Sequence, residues 1–254
     1  MPPDLLSGEA FPVFLVFARL GAALMLAPGF GEHHVLPRLR LLLALASSLV
    51  VSPALAGALP PLPAEPWQLA TLVSREILVG LFLGFTARLV LAAVHVGGSL
   101  IATQSGLSAA ALFDPNEAAQ STLPASFLTA AALALLFAAD FHHLVLRALV
   151  ASYAILPIAG GLDGKAAGEL SIRLVADATA TGVRIAAPMI AAGFVVNLGL
   201  GALNRMVPAF PVLMLALPLQ LLLALAILEQ SLPPAMELFG QSLVHGVAWL
   251  DRGG

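Results

Sequence analysis

Charged residues inside apolar sequence are the first places to look for chemistry, and Arg19, Glu76, Arg88, Asp140, Arg147, Asp177 and Arg184 all stand in long apolar runs. A charge in hydrocarbon is costly and faces protein or water, so such residues either line an ion or proton pathway or hold helices together. Few of them have an opposite charge at helical i,i+3 or i,i+4 spacing, and interhelical pairing and capping are favoured over a relay. Arg75 and Glu76 are neighbours that would point about 100° apart on a helix, so they are expected to meet different partners. Histidines come as the adjacent pairs His33/His34 and His142/His143. Adjacent positions on a regular helix cannot easily chelate one ion, although Asp140 and His143 share a face. No helical H-E-x-x-H or H-x-x-E-H pattern occurs, so no metal site is expected, and Asp140 to His143 is read as a helix leaving the apolar layer. Gly106-Leu107-Ser108 is followed by Ala109, and no histidine lies in the last apolar block, which argues against a membrane serine nucleophile. No catalytic residue and no cofactor are expected.

The elements that must position these residues follow from composition. Of 254 residues, 10% are charged, against roughly 25% in soluble proteins. With 60% hydrophobic residues and a mean hydropathy of +0.99, the chain carries more apolar surface than one soluble core can hide. A soluble enzyme is excluded. A nucleic-acid binder is excluded too, because a net charge of -3 provides no basic patch. The absence of cysteine removes thiolate metal sites and disulfides. Asp4 and Glu9 stand where a cleavable signal would carry Lys or Arg, so the first apolar stretch is expected to be retained.

Six apolar blocks can be read, over residues 11–30, 39–59, 67–101, 123–156, 174–203 and 210–232. Each can supply a span of about 20 residues, and Ala, Leu and Gly dominate where a barrel would alternate. The expected fold is all-α, in a membrane. The third and fourth blocks are too long for one simple span, so each is either a long helix projecting beyond the bilayer or a broken pair. Arg38, Arg40 and Arg205 balance Lys165, Arg173 and Arg252 across the two sides of a six-span topology, so loop charge sets no orientation.

Small residues carry more information. Gly80 and Gly84 form G-x-x-x-G, with Gly97, Gly98, Gly193, Gly199 and Gly201 elsewhere, and such residues let helix backbones approach in lipid. Prolines at 115, 124, 157, 188, 208, 211 and 218 punctuate the blocks, and each break needs protein neighbours to satisfy freed backbone groups. The stretch from Gln104 to Pro124 is small, weakly polar and free of Lys and Arg, with a turn signal at Asp114-Pro115-Asn116. It is either a surface loop or a segment that dips into a central opening.

Several motifs occur together in a fixed order. R-x-G-x-x-x-x-x-x-P-G-F-G runs from Arg19 to Gly31 on to Val35-Leu36-Pro37-Arg38, and R-E-I-L-V-G-L-F-L-G-F covers 75–85. G-x-x-I-x-x-Q-x-G-L-S at 98–108, F-D-P at 113–115, H-H at 142–143, L-P-I-A-G-G at 156–161 and N-L-G-L-G-A-L-N-R-M-V-P at 197–208 follow. In this combination the chain resembles the FliR-type export-gate subunit of bacterial flagella and its SctT-type counterpart in virulence injectisomes, over about residues 11–238. Asp140-Phe141 departs from the Asn-Gly of the family pattern, as do Ala209-Phe210-Pro211 and Ala216 at their positions.

The resemblance implies a non-enzymatic pore subunit of helical hairpins. Residues 11–165 would be FliP-like and 166–240 FliQ-like within one domain. Expected partners are FliP-type, FliQ-type and FlhB-type subunits, membrane lipid, and unfolded flagellar proteins in transit through the bacterial inner membrane. The resemblance also implies that the loop holding Gly106, Leu107, Ser108, Phe113, Asp114, Pro115 and Asn116 is the channel plug. It further implies that Glu76, Gly80, Gly84, Asn204, Arg205 and Pro208 serve subunit or helix packing. The alternative from another class is a small ion-coupled transporter using Asp140, His143 and Arg184.

Overall fold

The computed structural model describes residues 3–55, 57–105, 123–158, 160, 162–206 and 212–248. Among these the protein is all-α, with no strand, as its composition predicts. Seven helices follow in order: α1 (Pro3–Leu26), α2 (Pro37–Val51), α3 (Pro66–Gln104), α4 (Leu123–Ala138), α5 (Phe141–Ile155), α6 (Gly164–Met206) and α7 (Val212–Ala248). A 3-10 turn over Ser52–Leu55 extends α2.

Proline sets several boundaries. Pro37 opens α2 after Leu36 in the extended conformation (φ -59°, ψ 134°), and Pro66 opens α3, where the missing N–H has no helical acceptor to lose. Pro188 and Pro218 instead lie within α6 and α7. Among the described residues four helices are long and apolar enough to cross a membrane, or five if α4 and α5 together count as one broken span. The two long central blocks therefore resolve differently. The third is a single helix of 39 residues, about 58 Å at 1.5 Å per residue and nearly twice a hydrocarbon core of about 30 Å. The fourth breaks at Ala139-Asp140, where Asp140 adopts a left-handed conformation (φ 57°).

The described residues fall into two compact units. The first draws on 1–89, 136–174 and 243–254. Its core packs Val16, Leu20, Ala23 and Leu24 of α1 with Ala44 of α2, Val79 and Leu83 of α3, and Ala148, Leu149 and Tyr153 of α5. Here Gly80 and Gly84 bring α3 onto α1: a Cβ at Gly80 would strike the Arg19 carbonyl oxygen, and one at Gly84 would stand 2.5 Å from the Ala23 oxygen. These two glycines are helix-packing residues inside the chain.

The second unit draws on the described residues within 90–135 and 175–242. It repeats the device. A Cβ at Gly97 would meet the Ile185 side chain at 2.8 Å, one at Gly182 the Ala93 oxygen at 2.8 Å, and one at Gly98 the backbone of Ala125. Its outer apolar side chains, among them Phe194, Val195, Leu198 and Met206, are exposed.

Candidate functional site

One polar cluster is fully enclosed in the first unit, built around Arg19 on α1. Arg19 has no exposed surface, the largest side chain buried to this degree among the described residues. It is held there by partners from three directions. Its Nε donates to Glu76 Oε2 at 2.7 Å and its Nη2 to Glu76 Oε1 at 3.1 Å, a bidentate pair from α1 to α3. Its Nη1 donates to the Leu156 carbonyl at 2.9 Å and reaches Ser152 Oγ at 3.5 Å. The guanidinium lies 4.1 Å from the centre of the Tyr153 ring, an arrangement that further stabilises the cation.

Each partner is fixed by its own helix. Ser152 Oγ donates to the Leu149 carbonyl at 2.6 Å, so it accepts rather than competes where Arg19 approaches. Leu156 is the C-cap of α5. At a helix end the last carbonyls lack intrahelical donors, and the Arg19 guanidinium supplies one while placing positive charge at the negative end of the helix dipole. Tyr153 completes the group by reaching the Val16 carbonyl at 3.5 Å. The two charges are matched and each nitrogen of the guanidinium is engaged. Such a site holds α1, α3 and α5 in one arrangement, and it presents no free nucleophile or base.

The other charges behave differently. Arg40 Nη2 donates to the carbonyls of Glu32 and Val35 at 2.7 and 3.1 Å, closing the loop between α1 and α2. Arg88 stands 4.0 Å from Glu32. Arg147, Asp177 and Arg184 are exposed. Asp140 and His143 are also exposed, with Nδ1 of His143 3.5 Å from the carboxylate.

Glu76, expected at a subunit or helix contact, sits between helices of its own chain. Asn204 and Arg205 lie exposed at the end of α6. Pro208 and the loop residues Gly106, Leu107, Ser108, Phe113, Asp114, Pro115 and Asn116 lie outside the described residues. Sequence reasoning picked out Arg19 and Glu76 singly and missed Ser152, Tyr153 and the Leu156 carbonyl. One signal was available: Tyr153 is the sole tyrosine of the chain, an amphipathic ring that needs a polar partner when buried.

The adjacent His142 and His143 were expected not to chelate one ion easily from a regular helix. The ligand atoms of Asp140, His142 and His143 all lie within 4.8 Å of one another, and the two imidazole centres are 4.1 Å apart. The expectation assumed a regular helix. These residues instead open α5 directly after the left-handed Asp140.

Comparison with known proteins bears on the whole chain. The family model for bacterial export proteins, family 1, matches residues 10–245. The flagellar biosynthetic protein FliR of Caulobacter vibrioides is 36% identical over 246 residues, covering 96% of this chain and 94% of that protein. FliR of Bacillus subtilis is 30% identical over 84% of this chain and 83% of its own length. The Yop proteins translocation protein T of Yersinia pestis is 26% identical over 87% of this chain and 85% of its own length.

Proposed function

Because the chain belongs to the bacterial export proteins, family 1, we infer that it is a membrane-embedded component of the flagellar type III export apparatus. Within that apparatus it serves as a pore subunit of the export gate. The observation that carries this reading is likeness to a flagellar FliR along 96% of the chain. A flagellar rather than a virulence system is favoured by 36% identity to that protein against 26% to the Yersinia translocation protein.

The geometry agrees with a structural role. The enclosed polar cluster is spent on joining helices, and the exposed apolar side chains of α6 and α7 need lipid or other helices to cover them. In this reading FliP-type and FliQ-type subunits supply those helices, with an FlhB-type subunit beside them, in the inner membrane. The part before about residue 165 plays the FliP-like role and the part after it the FliQ-like role. Unfolded flagellar proteins are the cargo, and the loop from Gly106 to Thr122 closes the channel. Its small side chains and lack of Lys and Arg suit reversible withdrawal.

Native mass spectrometry of the tagged chain, purified in mild detergent from cells expressing its neighbouring genes, tests this reading. One copy bound to several copies of two other small membrane proteins is the expected result. Recovery only as a lone monomer or homodimer, although those neighbouring genes are expressed, would overturn it.

A further inference from the structure

The corner between α4 and α5 gathers three metal-binding side chains that the export role does not use. We propose that Asp140, His142 and His143 form a binding site for one divalent transition-metal ion, of which zinc is the representative. Their ligand atoms lie within 4.8 Å of one another. A tetrahedral ion with bonds of about 2.0–2.1 Å needs donors about 3.3 Å apart, so modest rotations bring the set into register. Asp140 and His143 are free to make them, with side chains 78% and 60% exposed. They already stand 3.5 Å apart.

His142 is oriented by its surroundings. Its Nδ1 lies 3.4 Å from the Leu136 carbonyl and its ring packs beside Phe137 with centroids 5.2 Å apart. A proton held on Nδ1 by that carbonyl leaves Nε2 as the lone-pair nitrogen, which is how backbone carbonyls orient metal-binding imidazoles.

The chemistry of the set selects the ion. Two imidazoles and one carboxylate suit zinc, copper, nickel or iron and give calcium or magnesium too few oxygen ligands. The positive end of the α5 dipole works against any cation here. Asp140, immediately ahead of the helix, supplies the opposing charge. Three protein ligands leave at least one position to water. A bound ion would hold the left-handed residue and the first turn of α5 as one unit.

The test is a zinc titration of the full chain in detergent by calorimetry, with cobalt(II) absorption as a spectroscopic check on coordination. The unaltered protein is expected to take up one zinc per chain and to gain thermal stability from it. His142→Gln with His143→Gln should weaken uptake by more than about tenfold, while His33→Gln with His34→Gln should leave it unchanged. Asp140→Gly retains a residue suited to positive φ and removes the carboxylate, so it should fold and lose the high-intensity cobalt spectrum. Absence of uptake by the unaltered chain would overturn the proposal. So would equal uptake by the His142/His143 and Asp140 variants, or loss of uptake only on replacing His33 and His34.

Discussion

At the residue scale the energetics concentrate on Arg19. A buried ion pair contributes little when intact, because desolvation offsets attraction, yet removal of one partner leaves a buried charge uncompensated. Arg19→Ala should therefore destabilise the chain by about 3–5 kcal/mol, read as a lowered thermal unfolding midpoint in detergent. The double variant Arg19→Met, Glu76→Leu should recover most of that loss, since matched apolar groups need no counterion. Arg19→Lys should behave like a defect, because an ammonium cannot make the bidentate contact with Glu76 and reach the Leu156 carbonyl as well. An unchanged midpoint for Arg19→Ala would refute the clamp. The sequence made both charges visible as anomalies, but it could not pair them. Their separation of 57 positions is set by how α3 returns to α1, and Ser152 and Leu156 join only through the placement of α5.

At the scale of elements, glycines divide into two kinds that the sequence does not separate. Gly84 is pressed against α1, where an added Cβ would meet the Ala23 oxygen at 2.5 Å and the Leu26 Cβ at 2.9 Å. Gly84→Val should force the helices apart and cost about 1–3 kcal/mol, seen as a lower unfolding midpoint of the isolated chain. Gly199 and Gly201 lie within α6 with nothing inside 4 Å of an added Cβ. Gly199→Ala should leave the isolated chain as stable or raise stability by up to about 1 kcal/mol, and reduced recovery of the assembled complex would then mark that face as a subunit contact. Normal recovery would assign it to lipid. Helix identity was legible from the apolar blocks, and so was the uncertainty over the two long ones. The third contains no proline after Pro66 until its end and runs unbroken. The fourth carries prolines only at its margins, Pro124 and Pro157, and breaks instead at Asp140, a residue whose left-handed backbone no hydrophobic pattern announces.

At the scale of the molecule, function depends on surfaces this chain cannot complete alone. Deleting residues 110–120 should raise passage of small ions through the membrane of cells carrying the assembled apparatus, with assembly itself retained. Conductance equal to that of the undeleted protein would remove the plug assignment. The enclosed arginine also has a consequence for synthesis. Arg19 finds Glu76 only after 57 further residues have been made, and the Leu156 carbonyl after 137. Until then α1 carries its cation without that counterion, which would cost about 2.5–3.5 kcal/mol were this stretch to lie across the bilayer. α1, made before both of these partners, is thus poorly suited to settle in lipid by itself. Its lasting placement awaits α3 and α5, making the order of translation part of how the subunit reaches its place.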